Sequence, residues 1–465
     1  MSRLVTPKHL LLGAALLMSA CASVVGVDES QWIEAENQTI PTDWSLPVET
    51  VRADSFAALY DDPVLASFLS VAVADNYDLQ QARLRIERAE AQLLQALSRP
   101  QIQLDSSAGA SVSSILDDVD DISDSGNLGL TASLDPDIFG RLSAGIEGAE
   151  TRALIARAEE ARLRRTILAN VVSAYTRSIE TALLLSVAEQ NLDFLSETER
   201  VTRARFEGGD AAGSDLALAR LELQTARASL AEQRFAAEDS RRALSILVGG
   251  FGDARLEGFS TLPDTLPDVS GAVVGLAENP IQTLDNRYDV QSARLAVTEA
   301  TANLEGVIAS DLPGFSLRAS LSNNADLEDL FDVDSYIASL VGSLAFNLLD
   351  GGLNDAQQAE ARTNIDLAVS NYAETLRRAS QELRTALSQA DALEEALNAL
   401  REAERSAERA LELESIRFDL GEAILLDVLT VQRRVDATRS ARIRTQRRYL
   451  ESIAQAHLAL GPSET

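Results

Sequence analysis

Arg205-Phe206-Glu207-Gly208-Gly209-Asp210 and Arg417-Phe418-Asp419-Leu420-Gly421-Glu422 are two copies of one short pattern, 212 residues apart. The same shift pairs Asp215 with Asp427, Arg227 with Arg439 and Gly249 with Gly461, without a gap. Upstream, Tyr77-Asp78-Leu79-Gln80-Gln81-Ala82-Arg83-Leu84 returns as Tyr288-Asp289-Val290-Gln291-Ser292-Ala293-Arg294-Leu295 at a shift of 211. Gly140 and Leu142 return as Gly351 and Leu353 at that same shift. A fixed self-similarity of this kind marks duplication. The two repeats run over 62–250 and 279–461, joined by a Pro/Gly-rich linker, 251–278.

Each Arg-Phe-x-x-Gly reads as a turn between two helices. From Arg141 to about Phe206 there is no proline, and Ala, Arg, Leu and Glu dominate. About 65 such residues at 1.5 Å each reach roughly 100 Å, and 354–418 is the counterpart. The returning helices carry apolar stripes, Leu216, Leu223, Leu230 and Leu244 in one and Val428, Val431, Val435 and Ile443 in the other. Antiparallel coiled-coil pairs follow, and alanine along the seams lets the helices approach closely.

Ahead of each long helix the order is helix, strand, strand. The first helix, about Pro63–Ser98, carries Leu79, Ala82, Ile86, Ala89 and Leu93 at helical spacing, and Pro100 ends it. Period-two segments come next. Ile102, Leu104, Ala108, Ala110 and Val112 alternate with mostly polar neighbours, as do Leu128, Leu130, Ala132 and Leu134. In the second repeat Phe315, Leu317, Ala319 and Leu321 alternate with Ser316, Arg318, Ser320 and Ser322. Leu340, Gly342, Leu344, Phe346 and Leu348 do so with weaker contrast. Strands of about ten residues with one apolar face fit the wall of a transmembrane β-barrel with a wet lumen; a half-buried soluble sheet is the alternative. Four strands cannot close a barrel, since the smallest have about eight, so several chains must contribute. The fold class is mainly α with a small transmembrane β part.

Composition narrows the function. The 465 residues hold 41 Lys+Arg against 72 Asp+Glu, a net charge of −31. Phosphate neutralisation needs Lys and Arg in excess, so nucleic acid is excluded as a partner. The only histidines are His9 and His457, and Cys21 is the single cysteine. No His/Cys metal cluster, nucleophile–base pair or phosphate loop can be assembled. An enzyme is not expected, nor a cofactor or a metal. The acids between the strands, Asp117, Asp118, Asp120, Asp121 and Asp124, then Asp326, Glu328, Asp329, Asp332 and Asp334, lack the spacing of a calcium loop and read as solvated tips.

The N-terminus has the parts of a secretory signal. Arg3 and Lys8 precede the apolar run Leu10–Leu17, and Met18-Ser19-Ala20 places small residues before Cys21. A signal cut just before a lone cysteine resembles the bacterial lipoprotein signal, in which that cysteine is lipidated. Residues 1–20 are then the signal peptide, 21–61 a lipid-anchored extended segment and 462–465 a C-terminal tail. Ala22, rather than Asp, implies the outer membrane within that class of signals.

Several motifs together carry a wider resemblance. Phe56-Ala57-Ala58-Leu59-Tyr60-Asp61-Asp62-Pro63, followed by Asn76-Tyr77-Asp78-Leu79, resembles the entry motif of outer-membrane efflux proteins of the TolC type, in particular the lipoprotein (OprM- and NodT-like) branch. Leu134-Asp135-Pro136-Asp137-Ile138-Phe139-Gly140-Arg141 looks like that branch's strand-to-helix junction, and Leu349-Asp350-Gly351-Gly352 its second-repeat partner. Leu284-Asp285-Asn286-Arg287-Tyr288-Asp289-Val290 is similar to its interdomain motif, with Tyr288 in place of the usual proline. Gly421 followed by Leu426-Asp427-Val428-Leu429 resembles the coiled-coil tip.

The resemblance implies a homotrimer with a twelve-stranded outer-membrane β-barrel continued by a periplasmic α-barrel. It implies a passive duct for small solutes, docked through a periplasmic adaptor (membrane fusion) protein onto an inner-membrane transporter of the RND type. A type I secretion duct is the neighbouring alternative, and a lipid-anchored coiled-coil scaffold without a pore is the alternative from another class. By the family pattern Gly209 and Gly421 form the tip turns that meet the adaptor, and Asp215 and Asp427 belong to the periplasmic gate. Asp427 would give an acidic ring in the trimer. The companion acid three residues on is Thr430 here, and the arginine that ties the Asp215 position in some relatives is Ala423. Helix N-capping is the plain structural role for both acids, compatible with a gate.

Overall fold

The computed structural model describes residues 34, 56–115, 118–250, 262–267, 269, 280–326 and 329–461. The signal 1–20, Cys21, Asp117, Glu328 and the tail 462–465 lie outside them. In chain order the elements are α1 (Phe56–Tyr60), α2 (Pro63–Asp75), α3 (Tyr77–Ser98), β1 (Gln103–Ile115), β2 (Asp118–Leu134), α4 (Arg141–Gly208) and α5 (Gly213–Leu247). The second repeat follows with α6 (Pro280–Asp285), α7 (Tyr288–Ser310), β3 (Gly314–Ala325), β4 (Ile337–Ala345), α8 (Leu353–Asp419) and α9 (Leu425–Ala459).

Two compact units cut across the repeats, each taking matching parts of both. The first is built from 85–157 and 292–373 and holds the sheet. Its strands form one antiparallel sheet in the order β1-β2-β3-β4. Leu130 faces Leu321, Ala132 faces Ala319, and Phe315 faces Leu344. Directly opposed residues share a face and successive residues alternate, so these apolar side chains collect on one side. Serines collect on the other: Ser316 bonds Ser343 at 2.9 Å and Ser320 bonds Ser339 at 2.7 Å. Leu104, Leu340 and Leu344 are all largely exposed.

Each long helix leaves the sheet through an aspartate. The Asp137 carboxylate accepts from the Leu142 and Ser143 N–H groups at 2.9 and 2.7 Å and from the Ser143 hydroxyl at 2.6 Å. Burial works to raise its pKa, yet these bonds and Arg141 outweigh it and hold the carboxyl below its usual range. Asp350 accepts from the Gly352 and Asn354 N–H groups, the bond from Asn354 leading the same downward shift.

The second unit holds α1, α2, α5, α6, α9 and the remaining parts of α3, α4, α7 and α8. Its core packs Phe68, Leu79, Tyr175, Ile179, Leu244, Ile443 and Leu450. Four readings of the sequence change, three in this unit and one in the sheet. The helix expected over Pro63–Ser98 is two helices, because Asn76 leaves the helical path and its side-chain oxygen caps the Asp78 and Leu79 N–H groups. The extended segment 21–61 is helical over Phe56–Tyr60, where Phe56, Leu59 and Tyr60 are buried. Within the linker, Leu266 and Val269 are buried in the helical core. The acids Asp118, Asp120, Asp121 and Asp124 lie on β2 rather than in a loop.

Candidate functional site

The two hairpin turns are built alike. At the end of α4 the Gly209 N–H reaches the Phe206 carbonyl at 3.1 Å and the Asp210 N–H reaches the Arg205 carbonyl at 2.8 Å. After α8, Gly421 reaches Phe418 at 3.0 Å and Glu422 reaches Arg417 at 2.8 Å. This is the Schellman closure, which needs a left-handed residue at the fifth position. Gly209 and Gly421 supply it, with φ of 88° and 78°. The recurring Arg-Phe-x-x-Gly is therefore a backbone requirement first.

Three residues into each returning helix stands the matched acid. Ala212 and Ile424 occupy the N-cap positions and offer no side-chain acceptor. The Asp215 carboxylate instead accepts from the Ala212 N–H at 3.3 Å, and Asp427 accepts from the Ile424 N–H at 3.4 Å. Negative charge in a first helical turn also suits the helix dipole. Asp427 is exposed, and Asp215 is half-buried. Thr430 donates to the Leu426 carbonyl at 2.7 Å, so its hydroxyl is directed at its own helix.

The turns of the two hairpins are joined by contacts that the spacing did not reveal. The Arg205 guanidinium lies 4.5 Å from the centre of the Phe418 ring, an attraction worth about 0.5–1 kcal/mol at an open site. Beneath it Leu195, Ala219, Leu223, Leu425 and Leu429 form a core shared by α4, α5 and α9. Arg417, the duplicate of Arg205, instead pairs with Glu414 at 3.0 Å. Both motif residues were visible in the sequence; which arginine meets which ring was not.

The opposite ends of the returning helices are also capped in duplicate. Asn76 Nδ2 donates to the Leu247 carbonyl at 3.0 Å. One repeat later stands Arg287, which donates to the Ala459 carbonyl at 3.1 Å. Arg287 also pairs with Asp289 and Glu382, each at 2.7 Å, while its side chain is only 9% exposed. Next to these caps a Cβ on Gly249 would stand 2.6 Å from the Asp75 carbonyl oxygen. His457 is a packing residue, its ring edge-on to Phe56 at 4.6 Å. Among the described residues no cluster of His, Cys, Asp and Glu could hold a metal, and no helix is long and apolar enough to cross a membrane.

A four-stranded sheet with one apolar and one polar face, joined to duplicated long helical hairpins, defines an outer-membrane channel protein. The model of the outer membrane efflux protein family matches residues 68–250 and 279–462, and the chain belongs to that family. It is 25% identical to the cation efflux system protein CusC of Escherichia coli K12 over 81% of this chain and 82% of that one. It is 24% identical to the pyoverdine export outer membrane protein OpmQ of Pseudomonas aeruginosa, over 97% of this chain and 96% of the other. Among solved structures the Campylobacter jejuni CmeC outer membrane channel superposes with a TM-score of 0.83 at 22% identity, covering 90% of each chain. The Neisseria gonorrhoeae MtrE channel, solved in its open state, gives 0.79 at 24% identity, covering 91% of this chain and 94% of that one.

Proposed function

We propose that three copies of this chain form one passive duct for small solutes, a twelve-stranded outer-membrane β-barrel continued by a conduit of paired helical hairpins. The observation that carries the reading is the sheet. Its outer strands β1 and β4 each have one partner, and its faces are divided into leucine and serine sides. Unpaired edges are costly in a membrane, and a closed ring removes them. Three such sheets supply the strand count of a mid-sized barrel. The repeats 62–250 and 279–461 are the duplicated units, and the chain conducts rather than catalyses.

Membership of an efflux family supports a periplasmic adaptor and an inner-membrane RND transporter as partners, and we assign the Gly209 and Gly421 turns as the adaptor's contact. Cys21 carries the lipid anchor. Metabolic labelling with a fatty acid is expected to mark the wild type and not Cys21→Ser; label retained on the mutant contradicts the anchor. Native mass spectrometry in detergent is expected to give a trimer that conducts after reconstitution. A monomer that never conducts contradicts the duct.

Asp427 lines the narrow end as a threefold acidic ring. Like charges gathered in a confined space attract cations. Asp427→Asn is expected to lower cation selectivity and relieve divalent block in single-channel recordings, while Asp215→Asn acts on hairpin stability. Unchanged selectivity and block would leave Asp427 as a helix cap alone.

A further inference from the structure

Beside the Arg287 cap, the second unit holds a cavity of about 610 Å³, open to solvent. That volume suits a small-molecule ligand. Four arginines line it: Arg162 and Arg165 from α4, Arg287 just ahead of α7, and Arg378 from α8. Two carboxylates share the lining, Asp289 and Glu382, and both are bonded to Arg287. The cavity is thus left with net positive charge, in a chain whose own net charge is −31. Tyr288 and Gln455 add hydrogen-bonding groups to its wall.

Capping does not account for this charge. The first repeat caps its returning helix with a neutral amide, Asn76 in place of Arg287, and has Ala243 in place of Gln455. The cap itself therefore needs no cation. The other three arginines are placed for an added partner. Arg165 donates to the His457 carbonyl at 2.7 Å and lies 5.9 Å from the centre of the Phe56 ring, contacts that fix where its charge stands. Arg162 is exposed and makes no ion pair among the described residues. Arg378 pairs with Glu374 one turn back, but the two side chains are 64% and 66% exposed, and such a pair is weak. Arg378 can turn to another anion at little cost. A guanidinium presents a planar fork of donors that matches a carboxylate or a phosphate.

We propose that this cavity binds a small polyvalent anion carrying carboxylate or phosphate groups, held by Arg162, Arg165 and Arg378. Bound there, the anion ties α4 to α8 next to the end of α9. The site belongs to one chain, so it stands whether or not three copies assemble.

Isothermal titration calorimetry of the full-length mature protein in detergent tests this, with citrate and pyrophosphate as separate probes and sodium chloride of equal ionic strength as the blank. One site per chain is expected for at least one probe, and the better-bound probe names the group recognised. The double variant Arg162→Gln, Arg378→Gln is expected to weaken binding about tenfold. Arg164→Gln, on the same helix but outside the lining, is expected to leave it unchanged. Arg287 is left in place, and circular dichroism checks that each variant folds. As a second readout, the bound probe raises the unfolding midpoint of the wild type and not of the double variant. Dissociation constants weaker than about 10 mM for both probes overturn the site. So does binding that the double variant retains, or that Arg164→Gln weakens equally, since either would make it general surface charge.

Discussion

Arg287 is the residue on which the capping of the last helix depends most. It satisfies a helix-end carbonyl and two carboxylates at once from a buried position. Arg287→Ala leaves those groups without their donor, and a loss of about 3 kcal/mol is expected, seen as a lower midpoint in thermal unfolding followed by circular dichroism. Arg287→Lys is expected to recover less than half of it, because one ammonium cannot replace a planar fork. Asp289 makes the effect pH-dependent. Burial works to raise its pKa, but the bond to Arg287 and that charge outweigh it and hold the carboxyl low. A carboxyl whose folded pKa lies below its unfolded value of about 3.9 stabilises fully above that pH and loses the contribution as pH falls through the folded value. The stability gap between wild type and Asp289→Asn is therefore expected to be constant from pH 8 to 5 and to close below about pH 4. A gap that closes near pH 6.5 would assign the effect to another group. Asn76, the same position one repeat earlier, is a neutral cap, and Asn76→Ala is expected to cost about 1 kcal/mol.

The hairpin is the element whose form was most legible in the sequence. Heptad-spaced leucines, the absence of proline and a glycine at the stop are local signals, and α4, α5, α8 and α9 follow them closely. Alternation in 314–325 located β3 for the same reason. The signals that failed are tertiary. The break at Asn76 exists because its side chain serves both the next helix and the end of α5. Leu266 and Val269 sit in a Pro/Gly-rich stretch whose composition says nothing of the core that covers them. In the sequence Asp215 and Asp427 read as N-caps, but they stand at the third helical position and reach back to Ala212 and Ile424, which give no sign there of being the N-caps. Gly421→Ala tests the turn directly. A Cβ there meets no atom within 4 Å, so the penalty is backbone strain alone, about 1–2 kcal/mol. Gly249→Ala adds a clash with the Asp75 carbonyl and is expected to destabilise more. Equal midpoints for the two variants in thermal unfolding would remove that close approach from the description.

For the whole molecule, one chain carries a half-finished surface: a sheet whose outer strands each have one partner among the described residues. It is completed by the addition of identical neighbours around an axis. An acidic chain with a net charge of −31 is an unfavourable self-partner unless the contact itself is neutral or complementary. High salt is therefore expected to leave the trimer intact in native mass spectrometry, because closed strand edges carry most of the association. Dissociation by salt alone would make charge the main attraction instead. The most direct measurement is single-particle electron cryomicroscopy of the detergent-solubilised, full-length mature protein. The expected result is a threefold particle in which twelve strands close one barrel and twelve helices close one conduit around a continuous lumen. Particles of a single chain, or an assembly whose sheets remain open at β1 and β4, would contradict it.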